Sequence, residues 1–367
     1  MKKISIIAIV ALMCWGANVA AEQTSSPFHH DIYALGMGDA FVAHGSNANA
    51  FLYNPALLAR VEKFQLSVLD LQLSVNKSFM DVVNYMNDNQ DKFENWDSLS
   101  PAERTALYNG MQDFDDRWVV AGAYPSFNVV LPAGLGFAVY DNVAMKVRLD
   151  RGIYEPRGYA DLNNDLVFAV GYARDINPKL SLGSNFKYIS RRISGPIRLK
   201  ALDFGNAEDT YKDVEDSLAD TKSGYGFDVG ALYSLQPNLD LGASIIDLLG
   251  SVDGDKTPIN FRVGAAYHYT GRITGSFLRE IIFAGDLDDM FNRDGDHLFN
   301  KTHLGADFLM PVVSLRLGLN QGYPSFGAGI NLKVARFEYA YIGRELGNAP
   351  GRESDYSHYA QLRLGWM

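Results

Sequence analysis

The sequence predicts an all-β protein, a transmembrane antiparallel β-barrel of about 14 strands with an N-terminal lumenal hatch and a helical extracellular loop. Three observations lead there. From Phe64 onward, segments of period-2 amphipathicity are joined alternately by tight turns and long polar loops, an arrangement that gathers short turns at one barrel rim and long loops at the other. A leader precedes them, and an alternating strand closes the chain beside an aromatic residue.

The leader spans residues 1–21. Lys2-Lys3, an apolar run over 4–15 and Val19-Ala20-Ala21 before Glu22 form a secretory signal peptide with a small-residue cleavage site. Its apolar run is too short for a spanning helix. Cys14, the only cysteine, lies inside it, and Met13 makes the preceding residues a poor lipoprotein box. A mature chain without cysteine excludes disulfides and thiolate metal sites. The net charge of -10 becomes -12 when Lys2 and Lys3 are removed, an acidic balance that argues against nucleic acid as a partner. No later stretch offers the roughly twenty apolar residues of a membrane helix.

Residues 22–63 come next, with the run Leu35-Gly36-Met37-Gly38-Asp39-Ala40-Phe41-Val42-Ala43 and then Asn54-Pro55-Ala56. Asn54 before Pro55 places a capping side chain ahead of a proline at the first helical position, predicting a short helix over 55–60. Gly36 and Gly38 permit close backbone approach or positive φ. The apolar content of this segment favours a plug inside the lumen over a periplasmic tail.

The barrel is expected over 64–367, with strands near 64–75, 118–131, 134–149, 165–175, 179–191, 225–235, 239–248, 259–269, 277–287, 302–310, 312–321, 325–333, 334–343 and 356–366. One join, near Gly322-Tyr323-Pro324, is short where the alternation calls for a long loop. Apolar residues such as Val313, Leu315, Leu317 and Leu319 should face lipid while Ser314, Arg316 and Asn320 face the lumen, since a one-residue slip would exchange the faces. The same parity assigns Lys146, Arg148, Asp228, Arg262, Arg316, Arg336, Glu338 and Arg363 to the lumen. In the last strand Tyr356, His358, Leu362, Leu364 and Trp366 share the outer face, a terminal signal of the kind barrel-assembly machinery reads. Parity also places both mature termini in the periplasm and the long loops outside the cell, with outer-membrane lipid around the wall.

The largest loop, 76–117, reads as two helices. Phe79, Val82, Val83 and Met86 recur at helical spacing, and Ser100-Pro101-Ala102-Glu103 is a capping box leading to Leu107, Met111 and Phe114.

Catalytic signals are weak. No helical His/Glu pair, phosphate loop or serine elbow stands in its required context, and only His358 is placed for a lipid-facing Ser/His site, so no enzyme activity and no cofactor are expected. Asp286, Asp288, Asp289, Asn292, Asp294 and Asp296 resemble a calcium loop in composition, but Gly295 has the wrong offset and no Glu closes it. Solvated loop charge is the expectation there.

The 35–43 run, its spacing to Asn54-Pro55-Ala56, and strand pairs such as Leu180-Ser181-Leu182-Gly183 to Lys187-Tyr188-Ile189 resemble the FadL-type outer-membrane barrel superfamily, and within it the PorV/PorQ-like and TraF-like branches. The resemblance implies 14 strands and an N-terminal hatch carrying the Asn-Pro-Ala motif, here Asn54, Pro55 and Ala56. It implies one of two functions: movement of hydrophobic, fatty-acid-like small molecules, or non-enzymatic binding of secreted proteins or secretion-machinery partners at the surface. The large insertion after the first strand departs from the family pattern, and no fatty-acid pocket can be matched residue by residue.

Overall fold

A computed structural model of the chain describes residues 26–45, 47–114, 117–150, 157–194, 197–200, 218–271, 277–293 and 295–366. The leader expected over 1–21 lies outside them. One closed antiparallel sheet contains fourteen barrel strands: β1 (Gln65–Asn76), β2 (Trp118–Leu131), β3 (Leu135–Asp150), β4 (Arg157–Asn177), β5 (Leu180–Ser194), β6 (Leu218–Gln236), β7 (Leu239–Ile246), β8 (Asn260–Tyr269), β9 (Glu280–Leu287), β10 (Thr302–Leu309), β11 (Val313–Asn320), β12 (Tyr323–Asn331), β13 (Ala335–Glu345) and β14 (Ser354–Trp366). Three short pieces, Ile197–Lys200, Ser251–Val252 and Asp255–Lys256, pair beside them. Closure is made where β1 pairs with β14, from Leu66 opposite Trp366 to Asn76 opposite Ser357, while its other edge pairs with β2.

Alternation fixes the faces. In β11 Leu315, Leu317 and Leu319 are exposed while Ser314, Arg316 and Asn320 are buried, and in β13 Phe337 and Tyr339 point out where Glu338 and Ala340 point in. Barrel closure removes every sheet edge, which a lipid environment requires. The short join between β11 and β12 is a two-residue turn at Gln321-Gly322 with φ of 55° and 84°, so β12 starts at Tyr323, two residues earlier than the pattern suggests. Both turn residues at positive φ match the right-handed twist of a hairpin.

Strands β4 and β6 reach well beyond the segments 165–175 and 225–235, to Arg157 and Leu218. Their hydrogen-bonded ladders continue where the sequence turns polar on both faces, as at Asp161, Asn163 and Asn164. Pairing there outlasts the apolar period that marks lipid contact, so sequence reading assigned these stretches to loops. The wall is therefore uneven: β2 to β6 have 14 to 21 residues, whereas β7, β9, β10 and β11 have 8 each.

Between β1 and β2 stand three helices, α3 (Lys77–Asp88), α4 (Gln90–Glu94) and α5 (Pro101–Gly110). Ser100 and Glu103 cap α5 reciprocally, and Phe93, Trp96, Leu107 and Met111 close a small core of the insertion's own, with Tyr85, Met86, Leu99 and Tyr108 against it. Two further helices lie ahead of β1: α1 (Ile32–Gly36) and α2 (Ala50–Tyr53).

Candidate functional site: the seat of the N-terminal segment

Residues 26–61 lie against the inward side chains of the strands. Ser26 donates to the Asp247 carboxylate, just past the loop-bearing end of β7. Pro27 accepts from Tyr140 at 3.2 Å, and His29 sits between Asn142 and Gln72 at 3.2 and 2.9 Å. The position of residues 22–25 lies outside the described chain. From there the segment descends to Arg60, whose guanidinium donates to Ser234 at 2.8 Å near the tight turn between β6 and β7.

The Leu35-Gly36-Met37-Gly38-Asp39 run lies flush on β10 to β12. A Cβ on Gly36 would stand 2.9 Å from the Cα of Gly327. Gly38 has φ +67°, and a Cβ there would meet the carbonyl oxygens of Leu304 and Leu319 at 2.6 Å, so only glycine fits backbone to wall. Leu35 and Met37 are buried, and His303 Nδ1 donates to the Gly38 carbonyl at 2.9 Å. The Asn54-Pro55-Ala56 element works through its amide: Asn54 Nδ2 donates to the carbonyls of Val42 and Ala231 at 2.8 and 3.1 Å, while Oδ1 accepts from the Ala56 N–H at 3.1 Å. The turn that follows, Pro55–Arg60, is a 3-10 helix.

Three arginines hold the segment, and each also holds a carboxylate of the barrel, from a strand for Arg363 and Arg316 and from the loop after β9 for Arg262. Arg363 donates to Asp70 of β1 at 2.7 Å and to Asp31 of the segment at 3.0 Å. Arg262 pairs with Asp288 at 2.6 Å and reaches Asp39 at 3.8 Å, its guanidinium lying over the rings of Phe28 and Tyr53. Arg316 pairs with Glu338 at 2.6 Å and Asp307 at 3.5 Å, and lies 4.0 Å from the ring centroid of Tyr33, whose hydroxyl donates to Asp307. The segment's carboxylates have partners of their own. Asp31 accepts from Tyr33 N–H and from the amides of Asn47 and Asn49; Asp39 accepts from Tyr53 at 2.7 Å. Between the arginine contacts, Asp286 accepts from the N–H groups of Phe41 and Val42 at 2.5 and 2.8 Å.

Burial works against charge on Asp31, but Arg363, Asn49 and Arg336 outweigh it and hold the carboxyl below its ordinary value. Asp39 is likewise held well down, with His30, Arg262 and His303 overcoming desolvation. Burial, with His268 and Arg316 nearby, drives His44 down to about 3. The neutral ring lies 3.2 Å from the Tyr33 hydroxyl.

The charges assigned to the lumen divide. Asp228, Arg262, Arg316, Glu338 and Arg363 are buried in ion pairs, and Arg336 joins Glu338. Lys146 and Arg148 are exposed high on β3, Arg148 beside the Trp118 ring. On β14, Tyr356 stacks with Tyr341 at 5.6 Å, His358 bonds the Tyr339 hydroxyl at 2.7 Å, Leu362 is half-buried, and Leu364 and Trp366 are exposed. The sequence does not single out Asp31, Asp70, Lys187, His303 or Asp307 as site residues, and Asp286, grouped there with the solvated loop charges, is instead a buried residue of β9. Asp70 and Asp307 share one signal: each is the lone carboxylate of its strand, β1 or β10, among outward apolar residues.

The acidic loop after β9 is bridged internally rather than solvated. Lys301 Nζ donates to the Asp289 carboxylate and carbonyl at 2.8 and 3.1 Å and to Asn292 at 2.5 Å, so an ammonium stands where a calcium-like arrangement would need its ion. Asp294 lies outside the described residues.

No protein-family model and no curated protein matches the sequence. Solved structures do resemble the fold. The Pseudomonas putida toluene transporter TodX aligns with TM-score 0.56 at 12% identity, covering 94% of this chain and 100% of that one. A deltaS2 mutant of the TodX monoaromatic hydrocarbon channel gives 0.57 at 12% identity, covering 92% and 98%. A Pseudomonas aeruginosa FadL homologue aligns at 0.44 and 10% identity, over 96% and 99%. Closed by fourteen antiparallel strands around a buried N-terminal segment, the chain has the barrel fold seen in TodX.

Proposed function

We propose that this barrel moves uncharged hydrophobic small molecules across the outer membrane, with residues 22–63 as a removable hatch. The double pairing of Arg363, Arg262 and Arg316 supports the reading best. A buried charge left without a partner costs several kcal/mol, yet each of these cations keeps Asp70, Asp288 or Glu338 when the segment withdraws, and Asp31 and Asp39 keep their local donors. Arginines, and carboxylates such as Asp31 and Asp39, that are satisfied on both sides can part without stranding their charges.

The cargo follows from the same pairs. Among the described residues, every buried lysine and arginine, namely Lys187, Arg191, Arg262, Lys301, Arg316 and Arg363, already faces a carboxylate. No buried cation among the described residues is left over for an anionic head group, so a neutral hydrocarbon suits this lumen better than a fatty acid. The tight turns face the periplasm in this reading and the insertion faces outward.

The test is uptake of radiolabelled toluene and, in parallel, of a long-chain fatty acid by cells with and without the protein, together with mass spectrometry of what co-purifies. Faster hydrocarbon uptake is expected. Unchanged uptake together with a stoichiometric protein partner would replace transport by the partner-binding reading.

A further inference from the structure

The uneven wall leaves a geometric shortfall. Eight residues at about 3.4 Å each, tilted by about 40°, rise roughly 21 Å, less than the roughly 25 Å apolar band of an outer-membrane barrel. Strands β7, β9, β10 and β11 are of that length. Segments beyond the strand ends must complete the apolar belt on this side.

The loop joining β9 to β10 has the necessary character. Met290, Phe291, Leu298 and Phe299 are exposed, Phe291 by 66% and Phe299 by 59%, and Leu249 stands exposed in the neighbouring join between β7 and β8. Most of the loop's polar groups find partners within the protein, while Asn292, Arg293 and His297 stand at its exposed rim. Asp288 meets Arg262, Lys301 fills the Asp289 and Asn292 oxygens, Asn300 donates to the Gly347 carbonyl, and the His297 N–H to that of Asn348. A segment in lipid must satisfy its polar groups internally. The insertion on the same rim has the opposite polarity: α5 buries Leu107 and shows Glu103 and Thr105 to water.

Continuity with the lipid-facing wall fixes the occupant. Phe291 packs on Phe261 with ring centroids 5.2 Å apart, and Phe261 heads the outward column of Val263, Ala265 and Tyr267 in β8. The Met290 N–H donates to the Phe261 carbonyl at 3.0 Å. Thr302, at the top of the outward column of β10, donates to the Leu298 carbonyl at 2.9 Å. We infer that residues 289–293 and 295–299, with Leu249, are seated in the outer leaflet, where Phe291, Leu298 and Phe299 meet lipid chains and extend the belt above the low wall. The lumen's mouth is then at the membrane surface on that side and stands clear of it on the side of β2 to β6. The inference rests on the barrel spanning a membrane and is independent of its cargo.

Because Cys14 is the only cysteine, a chain started at residue 22 and refolded into nanodiscs accepts a unique nitroxide at Phe291→Cys, Phe299→Cys or, as a solvent control, Thr105→Cys. Labels at 291 and 299 should be readily relaxed by oxygen and several-fold less than that at 105 by an aqueous nickel chelate. Nickel access equal to that at 105 would overturn the inference. The unsubstituted chain in nanodiscs of a lipid with a diazirine-bearing acyl chain gives a second reading: adducts should map to 289–293 and 295–299 as well as to β11. Labelled β11 beside an unlabelled loop would overturn it too.

Discussion

The N-terminal segment and the insertion between β1 and β2 both bury apolar residues, but their fixed points differ. The segment is held by contacts far apart in sequence, polar ones such as Asp31 to Arg363 across 332 positions and Tyr33 to Asp307 across 274, and apolar ones such as Phe51 and Leu58 among Val130, Ala138, Val167 and Ile189 of the wall. The insertion closes on itself, Tyr85 donating to the Leu107 carbonyl and Phe93, Trp96, Leu107 and Met111 forming a core among neighbours. Polar contacts that have substitutes on both sides can be exchanged for one another. The insertion's dry core lies wholly within it, whereas the segment's apolar partners among the described residues belong either to itself or to the barrel, so the insertion should behave as a body of its own and the segment as a part docked on the barrel.

The largest test of that difference removes the segment. A chain lacking 22–60 should still fold, since the three arginines retain Asp70, Asp288 and Glu338, and its single-channel conductance in planar bilayers should rise far above that of the full chain. Unchanged conductance in a folded barrel would sink the hatch. Single substitutions sharpen the point. Arg363→Met leaves Asp31 and Asp70 together without their cation and should cost about 3–5 kcal/mol, whereas Asp31→Ala leaves Arg363 paired to Asp70 and should cost only about 1–3 kcal/mol. Urea titration of the heat-modifiable band would measure both, and equal losses would refute the double pairing.

How far the sequence reveals each region follows from the range of its contacts. All fourteen strands could be read because each carries its period locally, as Val313 to Leu319 does. The capping box of α5 is equally local. The arginines could be placed in the lumen by parity, but their partners could not, because nothing near Arg363 points to Asp31 or Asp70. Gly36 and Gly38 stood out as permissive residues, while the surface they approach, the backbone of β10 to β12, is visible only once the barrel closes. The polar upper reaches of β4 and β6 escaped because a ladder in water needs no apolar face.

Trp96→Ala probes the other region. Emptying a buried indole costs about 3–5 kcal/mol, and here the loss should stay within the insertion: limited proteolysis should cut 77–114 sooner while conductance and barrel melting hold. A barrel that melts with it would show the two are not separate bodies.

Acid should act on the segment and spare the insertion. His44 stays neutral in the seat down to about 3 but takes a proton near 6.5 once released, so the released state binds more protons between those values. The seat is at full strength above about pH 6.5 and weakens by up to about 1.4 kcal/mol per unit below it. His29, also lowered by burial, adds the same sign, while the depressed Asp31 and Asp39 hold their pairs until lower pH. Hydrogen-exchange protection of residues 26–60, taken relative to the intrinsic rate at each pH, should fall from pH 6.5 to 5, and His44→Gln should flatten the slope. An unchanged slope in that variant would remove His44 from the seat.

The smallest effect is the most local. Ser100 accepts the Glu103 N–H at 3.3 Å while Glu103 accepts the Ser100 N–H at 2.8 Å, so Ser100→Ala should cost about 1 kcal/mol of α5 with the Glu103 half of the box intact. Because α5 reaches the rest of the insertion through Leu107, that loss should appear as faster exchange over 101–110 and nowhere in the seat of Asp31 and Asp39. Faster exchange in the seat as well would mean that the insertion's core and the N-terminal segment open together, and the contrast between a body of its own and a docked part would fail at its weakest joint.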